Sequence, residues 1–476
     1  MTISTAAVAG GEFSLWIDGK AVAGAGSFDV INPATEQVLA RCPRADAAQL
    51  EAAVAAAKAA YPAWARRPIA ERRRLLEEVA DRMVGRAPEL ARLLTQEQGK
   101  PLLQARREIE RSALMIKAFA GMDLSDKVLK EAENVRIVQQ RAPLGVVAAI
   151  TPWNLPIILL MSKFAPALLA GNTMVIKPAP TTPLTTLRFG AICAQVLPPG
   201  VVNVIADLND LGGVLTGHPD VAKVAFTGST ATGRKVMASA AATIKRVTLE
   251  LGGNDAAIVL DDVAVKEVAP KIFAGAMGNS GQVCLAIKRV YAPDSIYDEL
   301  CAELARLAEA AVVGDGLDEK TEFGPLQNKA QYERVQGFVE DARAHGKIIA
   351  GGGSRSGPGY FVRPTIVRDI PDDARLVREE QFGPVLPVLR YSDLDDAIAR
   401  ANDSEYGLGA TVWGKDLERA YEVASRIDSG TVWVNKHLEL RPDVPFSGAK
   451  QSGHGTELGR EGLEEFTQAR IINMAK

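Results

Sequence analysis

Short runs of apolar, mostly β-branched residues alternate with alanine-rich helical patterns along most of the chain. We predict buried strands over residues 146–150, 173–176, 201–204, 223–226, 256–259 and 431–434, with helices such as 47–59, 69–83 and 332–345 between them. Strands that alternate with helices form βαβ units around a largely parallel sheet. The pattern therefore predicts an α/β fold.

Length and composition limit the class of protein further. The 476 residues are enough for two or three domains. Hydrophobic residues make up 47% of the chain and charged residues 24%, which excludes a largely disordered protein. The 55 Lys and Arg residues are balanced by 58 Asp and Glu residues, a formal charge of −3, so nucleic acid is not expected as a main partner.

Cysteine usage and the first residues bear on the compartment. The four cysteines, Cys42, Cys193, Cys284 and Cys301, form no CxxC pair and no Cys/His cluster with zinc spacing. We therefore expect no disulfide scaffold, no metal site and a reducing, cytoplasmic location. The opening residues MTISTAAVAGGEF lack a basic segment before an apolar one, so we expect a short leader rather than a signal peptide.

Residues 145–176 are apolar enough to be mistaken for a membrane span. Prolines, asparagines, Gly171 and Lys163 interrupt the stretch, so it holds no unbroken apolar run of about 18 residues. We expect a buried strand, a turn, a buried helix and a second strand here, with no membrane contact.

Two segments look peripheral. Residues 127–141 mix charge with alternating β-formers, as a solvent-facing hairpin does, and residues 466–474 alternate in the same way. Strands of this kind would leave unpaired backbone groups in a single chain. We therefore expect them to pair across a subunit interface.

Three polar residues next to apolar runs could together act on a carbonyl group. Cys284 lies in GNSGQVCLAIKR (278–289), Glu250 opens ELGGND (250–255), and Asn154 stands between two prolines in TPWNLP (151–156). Taken singly, each is more often a buried cysteine, a solvent-facing glutamate or a turn residue. Together they supply the thiol nucleophile, the base and the oxyanion donor that acyl chemistry requires.

The segment VAFTGSTATGRKVM (224–237) could hold a phosphate. A β-like run leads through Gly228 and Ser229 to Gly233 and a helical pattern, and helix N-termini favour anions. The GxxxxG spacing differs from the GxGxxG dinucleotide fingerprint, so this signal is weak alone. Lys177, after the run 173–176, could bond ribose hydroxyls or simply cap the sheet.

The motifs taken together are far more specific than any one of them. They are TPWN (151–154), IKP (176–178), FTGS (226–229), ELGG (250–253), GNSGQVC (278–284), EEQFGP (379–384) and PFSGAKQSG (445–453). In this order and spacing they resemble the aldehyde dehydrogenase superfamily over about residues 13–472. The resemblance implies a Rossmann-like cofactor-binding domain (1–121 and 142–250), an α/β catalytic domain (251–455) and a small β oligomerisation element (122–141 and 456–476). A homodimer or homotetramer would follow.

The resemblance also implies roles for individual residues. Cys284 would be the nucleophile, Glu250 the general base, and the Asn154 side chain with the Cys284 N–H the oxyanion hole. The residues expected to bind the cofactor are Trp153, Lys177, Gly228, Ser229, Glu380 and Phe382, with Lys177 and Glu380 on the ribose hydroxyls and Ser229 on the pyrophosphate. The expected reaction is NAD(P)-dependent oxidation of an aldehyde to a carboxylic acid through a thiohemiacetal and a thioester.

The chain departs from the family pattern at several positions. Pro180 stands where many NAD-dependent members have a glutamate, so NAD is expected but NADP is not excluded. Arg460 stands where some members have a glutamate that helps to activate water, and Ser447 replaces a glycine. Ala206 and Asp207 replace a commonly glycine-rich turn and have no interpretation from the sequence.

Substrate-tunnel positions follow from the resemblance too. They are Leu155, Leu159, Ser162, Gly278, Val283, Leu285, Leu440 and Phe446, together with Ile158 and Leu438. Several are small or aliphatic where bulky aromatic residues are common, so we expect a wide apolar tunnel and a medium-chain aliphatic or bulky aromatic aldehyde. Alternation along an extended loop would turn Leu438 and Leu440 inward and His437, Glu439 and Arg441 outward.

Three alternative functions stay open. If Arg441 points inward instead, a semialdehyde that bears a carboxylate becomes the natural substrate. A CoA-acylating relative is a second alternative, although its family often lacks the glutamate found here as Glu250. A catalytically inactive structural relative is the third, and the intact set of Cys284, Glu250 and Asn154 argues against it.

Overall fold

The computed structural model describes residues 12–353 and 357–476. Residues 1–11, which make up most of the predicted leader, lie outside the described part of the chain. The α/β prediction is confirmed: two large sheets, each flanked by helices, account for most of the strands.

The first sheet has eight strands around a parallel core. Their spatial order is Lys20–Val22, Leu15–Ile17, Val202–Val204, Thr173–Lys177, Val146–Ile150, Val221–Thr227, Arg246–Glu250 and Gly453–His454. The parallel strands continue outward on both sides of Val146–Ile150, which creates a switch point in the strand order. Open α/β sheets bind ligands beyond the carboxyl ends of their strands at such a point. Gly453–His454 lies in the range predicted as catalytic, but it pairs with Arg246–Glu250 in this sheet.

The second sheet has seven strands. Their order is Lys347–Ala350, Thr365–Arg368, Val385–Tyr391, Ile287–Pro293, Asp255–Val259, Gly409–Trp413 and Thr431–Val434, and only the first is antiparallel to its neighbour. Along Asp255–Val259, alternate residues join two different apolar clusters, as expected when helices cover both faces of a parallel sheet. The predicted strands of both sheets are therefore confirmed, with small shifts at their ends.

Three smaller sheets complete the fold of the described residues. The hairpin Lys127–Ala132 and Val135–Pro143 is present, and Thr467–Ala475 pairs antiparallel with Val135–Pro143 of the same chain. The C-terminal strand thus supplies one edge for the hairpin, while Lys127–Ala132 and Thr467–Ala475 each keep an outer edge with no strand beside it among the described residues, so pairing across a subunit interface stays a prediction. Two further pairs join Gly26–Ile31 to Val38–Arg44 and Tyr406–Gly407 to Ala449–Lys450.

Helices fill the connections between strands. The α-helices of the described residues are Ala47–Arg66, Ile69–Gly85, Ala87–Gln98, Leu102–Ala120, Ile158–Ala170, Leu184–Val196, Gly212–Gly217, Thr230–Ala241, Val265–Met277, Tyr297–Ala310, Lys329–His345, Arg375–Arg378, Leu394–Asn402, Leu417–Ser425 and Gly459–Glu464, with one 3₁₀ turn at Gly278–Gly281. Asp46 begins the first helix with a capping box to Gln49. This helix extends past its predicted end and through Pro62, because the buried Trp64 anchors it by donating to the Leu168 carbonyl at 3.2 Å.

The apolar stretch 145–176 folds as predicted, into the strand Val146–Ile150, a turn, the helix Ile158–Ala170 and the start of Thr173–Lys177. Among residues 12–353 and 357–476, no helix is both long and apolar enough to cross a bilayer.

The two large sheets meet end to end. The strand Arg246–Glu250 ends in the first sheet, and Asp255–Val259 begins the second only a few residues later. Carboxyl ends of the first sheet therefore face amino ends of the second. Hydrogen bonds cross this junction from the Asn154 side chain to the Gln282 carbonyl at 2.9 Å and from the Gly253 N–H to Glu380 at 3.0 Å.

Candidate active site

Cys284 lies on a tight turn at this junction. The Ala286 N–H donates to the Val283 carbonyl at 3.0 Å, which closes the turn around the thiol. Asn279 and Ser280, just before it, have φ of 52° and 56°, a left-handed conformation that clusters at functional sites. Cys284 is half-buried, and burial raises the pKa of its thiol to about 12. The thiolate therefore needs help from a neighbouring cation or base.

Asn154 is fixed close to this turn. Its Nδ2 donates to the Gln282 carbonyl at 2.9 Å, which uses one of the two amide hydrogens and leaves the other for a ligand. Its backbone carbonyl accepts from Lys100 Nζ at 3.0 Å, and Lys100 forms a buried ion pair with Glu108 at 2.5 Å. Glu108 also accepts the N–H of Ile157 at 3.0 Å. The predicted oxyanion donor is thus held by a buried network.

Glu250 ends its strand with a buried side chain. Its Oε1 has no hydrogen-bond partner within the described residues. Burial and the nearby Glu457 carboxylate raise the pKa of Glu250 well above its usual value, whereas Lys163 lowers it. A carboxylate with a raised pKa and a free oxygen suits proton transfer from water near neutral pH.

Lys163 and Glu457 form an ion pair beside Glu250 that the sequence analysis missed. Both are buried, with Lys163 Nζ 2.7 Å from Glu457. Lys163 also donates to Thr227 Oγ1 at 2.6 Å, and Ser162 donates to Glu457 at 2.7 Å. The sequence did carry a signal: Lys163 interrupts a helix that is otherwise apolar, and a buried ammonium group requires an anionic partner.

The expectation for Arg460 is wrong. Arg460 is exposed and pairs with Glu464 at 2.9 Å on the surface, so it replaces nothing at the site. The carboxylate that interacts with Glu250 is Glu457, three residues earlier in the chain. The acidic group expected to be missing is therefore present.

Lys177 lies at the carboxyl end of its strand and contacts Asp207. Lys177 Nζ is 2.6 Å from Asp207 Oδ1 and donates to Asn209 Oδ1 at 3.0 Å. The other oxygen of Asp207 accepts the Leu211 N–H at 2.8 Å. An ammonium group has three hydrogens, so Lys177 keeps one for a ligand hydroxyl. Asp207, whose role had no interpretation from the sequence, thus orients Lys177.

Gly228 and Ser229 begin the helix Thr230–Ala241. Ser229 Oγ accepts the Thr232 N–H at 3.3 Å, while free N–H groups and the helix dipole at this end favour an anion. A Cβ at Gly228 would lie 2.5 Å from the Phe226 ring, so glycine allows the chain to pass close to the strand end. This end of the first sheet fits a dinucleotide pyrophosphate.

Glu380, Phe382 and Trp153 come together from both sheets. The Trp153 and Phe382 rings meet edge to face at 5.3 Å. Phe382 has a φ of 48°, and its carbonyl accepts from Gln331 Nε2 at 2.9 Å. Glu380 Oε1 accepts the Gly253 N–H at 3.0 Å, and burial raises its pKa.

The predicted tunnel residues separate into three groups. Leu155, Val283, Leu285 and Phe446 belong to the apolar cluster against which Cys284 packs. Leu159 and Ser162 lie near the ion pair, since Ser162 Oγ contacts the Leu159 carbonyl and Glu457. Gly278 lines a cleft of about 940 Å³ with Leu103, Phe273 and Phe323.

The loop 437–441 does not alternate as predicted. Leu438 packs against the core, but Leu440 is 41% exposed, and His437 turns inward to contact the Leu285 carbonyl at 2.6 Å. A φ of 59° at Leu438 breaks the extended conformation that alternation requires. Arg441 is exposed and bound to Asp443 at 3.1 and 3.0 Å, which removes the basis of the inward-pointing alternative.

The sequence matches the model of the aldehyde dehydrogenase family over residues 16–472. This chain belongs to that family. It is 40% identical over 466 residues to a phenylacetaldehyde dehydrogenase of Pseudomonas fluorescens, with 94% of this chain and 93% of the relative covered. It is also 40% identical over 459 residues to a chloroplastic betaine aldehyde dehydrogenase of Beta vulgaris, with 93% and 92% covered.

Solved structures agree. The NAD⁺ complex of an aldehyde dehydrogenase from Bacillus cereus superposes with a TM-score of 0.96 at 36% identity, covering 98% of each chain. The aldehyde dehydrogenase described here is accordingly an NAD(P)-dependent oxidoreductase.

We expect Lys163→Met and Glu457→Gln to move the acidic limb of the plot of kcat against pH in opposite directions. Lys163 lowers the pKa of Glu250 and Glu457 raises it. Loss of the cation should therefore move the limb to higher pH, and loss of the carboxylate should move it to lower pH. The measurement is kcat against pH under conditions where acyl-enzyme hydrolysis limits turnover.

Arg460→Ala is the matched control for this experiment and should leave the limb in place, because Arg460 pairs at the surface. A shift in the same direction for both Lys163→Met and Glu457→Gln would contradict the proposed electrostatics.

Proposed function

We propose that this dehydrogenase oxidises aldehydes to carboxylic acids through a covalent adduct on Cys284. The single observation that carries the proposal is the junction itself. It brings a thiol, a side-chain amide with a spare hydrogen and a buried carboxylate with a free oxygen next to residues suited to a dinucleotide.

Each residue has a defined task in this scheme. The Cys284 sulfur attacks the aldehyde carbon, and the Asn154 amide with the Cys284 N–H stabilises the oxyanion of the thiohemiacetal, a contribution of about 2.7–4 kcal/mol per donor. Lys177, Ser229 and Glu380 would hold NAD, which would supply the hydride acceptor for this oxidation. Glu250 then removes a proton from water, which attacks the thioester and releases the acid. Lys163 and Glu457 set the pKa of Glu250.

The CoA-acylating and inactive alternatives are less consistent with this site. A water-activating carboxylate serves no purpose if CoA takes the acyl group, whereas Glu250 is buried, has an unpartnered oxygen and lies beside an ion pair. An inactive relative would not need to keep the Asn154 amide close to the turn that carries Cys284.

Replacement of the thiol tests the scheme. Cys284→Ala should abolish NADH formation while the affinity for NADH stays close to wild type, because the thiol forms the covalent bond and lies outside the cofactor-binding residues. NADH absorbance and NADH fluorescence titration measure the two effects. Turnover near the wild-type rate in the alanine variant would refute the nucleophile assignment.

We propose a medium-chain aliphatic or bulky aromatic aldehyde as the substrate. The thiol packs against an apolar cluster. The cleft at Gly278 has Leu103, Phe273 and Phe323 on its walls together with charged residues such as Arg107, and Cys284 is not part of its lining. Each buried CH₂ contributes about 0.8 kcal/mol to binding, so longer aldehydes gain most. The relative described as a phenylacetaldehyde dehydrogenase supports an aromatic substrate, although another relative at the same identity is described as acting on betaine aldehyde.

Gly278→Phe should separate long aldehydes from short ones. The space around Gly278 is open, since a Cβ there would meet no atom within 4 Å, and its backbone is one that any residue adopts. A phenyl group should therefore enter the cleft, lowering kcat/KM for octanal and benzaldehyde more than for acetaldehyde, with Gly278→Ala as the control. Equal losses for all three aldehydes would contradict the cleft as part of the tunnel. If the wild-type enzyme has its highest kcat/KM with succinic semialdehyde, the proposed class of medium-chain aliphatic or bulky aromatic aldehydes is contradicted.

We propose that Asp207 makes NAD the preferred cofactor. Pro180 provides no carboxylate, so an isolated Lys177 would attract the 2′-phosphate of NADP, which carries about −1.5 to −2 charge. Asp207 lies 2.6 Å from Lys177 and neutralises it. A negative charge at this position disfavours a phosphate and leaves a ribose hydroxyl unaffected.

Asp207→Asn should therefore shift the ratio of NADPH to NADH affinity toward NADPH by about tenfold, which corresponds to about 1.4 kcal/mol. Fluorescence titration of both reduced cofactors measures the ratio. Asp220→Asn, which removes a carboxylate paired with Lys58 at the surface, is the control. An unchanged ratio in Asp207→Asn would refute this assignment.

We propose that the chain forms a homodimer or homotetramer through its three-stranded sheet. Apolar side chains there are exposed, among them Val128, Leu129, Ile471 and Met474, which fits a surface that another subunit covers. Light scattering measures the assembly, and a monomer at micromolar concentration would contradict the proposal.

A further inference from the structure

Lys288 lies against the turn 283–286, which carries Cys284 and is called the nucleophile turn below. Lys288 is 1% exposed. Its Nζ donates to the Cys284 carbonyl at 2.6 Å, the Val283 carbonyl at 3.0 Å and the Ala286 carbonyl at 3.3 Å. One ammonium group thus binds three of the four carbonyls of the turn 283–286. The reaction scheme above does not use this residue, and a buried ammonium group is costly unless its position has a purpose.

The bond from Lys288 to the Val283 carbonyl, together with the bond from the Ala286 N–H, determines where the Cys284 N–H points. Both groups belong to one trans peptide unit, in which the C=O and the N–H point in opposite directions. When Lys288 holds the Val283 carbonyl on its own side, the Cys284 N–H must point away from it. That N–H donates no hydrogen bond to the backbone or side chains of the described residues, so it is available for an oxyanion.

Lys288 also lies close to acidic groups of the junction. Its Nζ is 3.7 Å from Glu380, and it lowers the pKa of Cys284, Glu380 and the buried Asp255, each of which burial raises. Opposing charges come from Glu380, Glu250 and Asp255, which all raise the pKa of Cys284. Lys288 is therefore the cation that opposes both burial and three carboxylates at the thiol.

We propose that Lys288 is a positioning residue of the dehydrogenase: it aims the Cys284 N–H at the oxyanion, favours the thiolate, and connects the nucleophile turn to Glu380. The inference rests on the proposed role of Cys284 as nucleophile. A merely structural role would need only the three hydrogen bonds, whereas the proposed role needs the positive charge as well.

Three substitutions separate the charge from the hydrogen bonds. Lys288→Gln keeps N–H donors without charge, Lys288→Met removes both, and Lys288→Arg keeps both. Lys223→Met is the matched control, since Lys223 is also fully buried but binds Thr248 at 2.5 Å in the first sheet. The readout is the rate of Cys284 alkylation by iodoacetamide against pH, followed by mass spectrometry of the Cys284 peptide, with kcat and KM measured beside it.

This readout does not depend on turnover. The other three cysteines are buried, so the Cys284 peptide can be followed specifically. If Cys284→Ala keeps its activity, the proposed function fails, whereas the alkylation profiles still report on Lys288 alone.

We expect Cys284 alkylation at pH 8 to be about tenfold slower in Lys288→Gln and Lys288→Met, with the profile moved about one unit to higher pH. Lys288→Arg and Lys223→Met should alkylate at close to the wild-type rate. In Lys288→Met, kcat should fall by about 10²-fold with little change in KM, because an oxyanion donor is lost in the transition state.

A wild-type alkylation profile in Lys288→Gln would overturn the proposal, whatever its turnover. An equal shift in Lys223→Met would also overturn it, because the effect would then be general destabilisation. If thermal unfolding shows that Lys288→Met does not fold, the alkylation profile of Lys288→Gln decides the outcome.

Discussion

Buried ammonium groups fix the loops of this active site, and its geometry depends on them. Lys100 with Glu108 holds the Asn154 carbonyl, Lys163 with Glu457 lies beside Glu250, and Lys177 with Asp207 stands at the end of its strand. Removing one member of a buried pair typically costs about 3–5 kcal/mol, because the other charge is left uncompensated. Lys163 and Glu457 join segments 294 residues apart, and Lys100 reaches the Asn154 carbonyl 54 residues away. The functional groups are thus held by charge at places where the sheets end and regular backbone hydrogen bonding stops.

Buried lysines also adjust the pKa values of two different acids, the nucleophile and the base. Burial raises the pKa of the Cys284 thiol to about 12 and raises that of Glu250 well above its usual value. Lys163 lowers the pKa of Glu250, while Lys288 lowers the pKa of Cys284. One lysine therefore serves the nucleophile and another serves the base. Two groups with separately adjusted pKa values are what a reaction with an attack step and a later hydrolysis step requires.

Much of the fold and the central residues could be predicted from the sequence. Runs such as 146–150 are apolar enough to be interpreted as parallel strands. Asn154 and Glu250 lie at the ends of such runs, and Cys284 lies just before one. The buried ion pairs could not be predicted in the same way, because Lys163 and Glu457 are almost 300 residues apart and no local pattern links them.

The wrong predictions have a common cause. The role of Arg460 was inferred from its place in the family pattern, but the left-handed residue Leu458, with φ of 58°, lies between the buried Glu457 and the exposed Arg460. The loop 437–441 was treated as extended, but left-handed residues redirect its side chains. Local backbone conformation, rather than composition, decided both outcomes. Asp207 could be interpreted only once its distance from Lys177 was known.

Trapping the covalent intermediate tests the central claim most directly. Glu250→Gln, mixed with an aldehyde and NAD, should release about one NADH per active site in a burst and then stop, since the amide cannot activate water. Mass spectrometry should find the Cys284 peptide heavier by the acyl group, and the double variant Cys284→Ala with Glu250→Gln should show neither burst nor adduct. A Glu250→Gln enzyme that binds NADH normally but gives no burst and no acyl adduct on Cys284 would contradict the account.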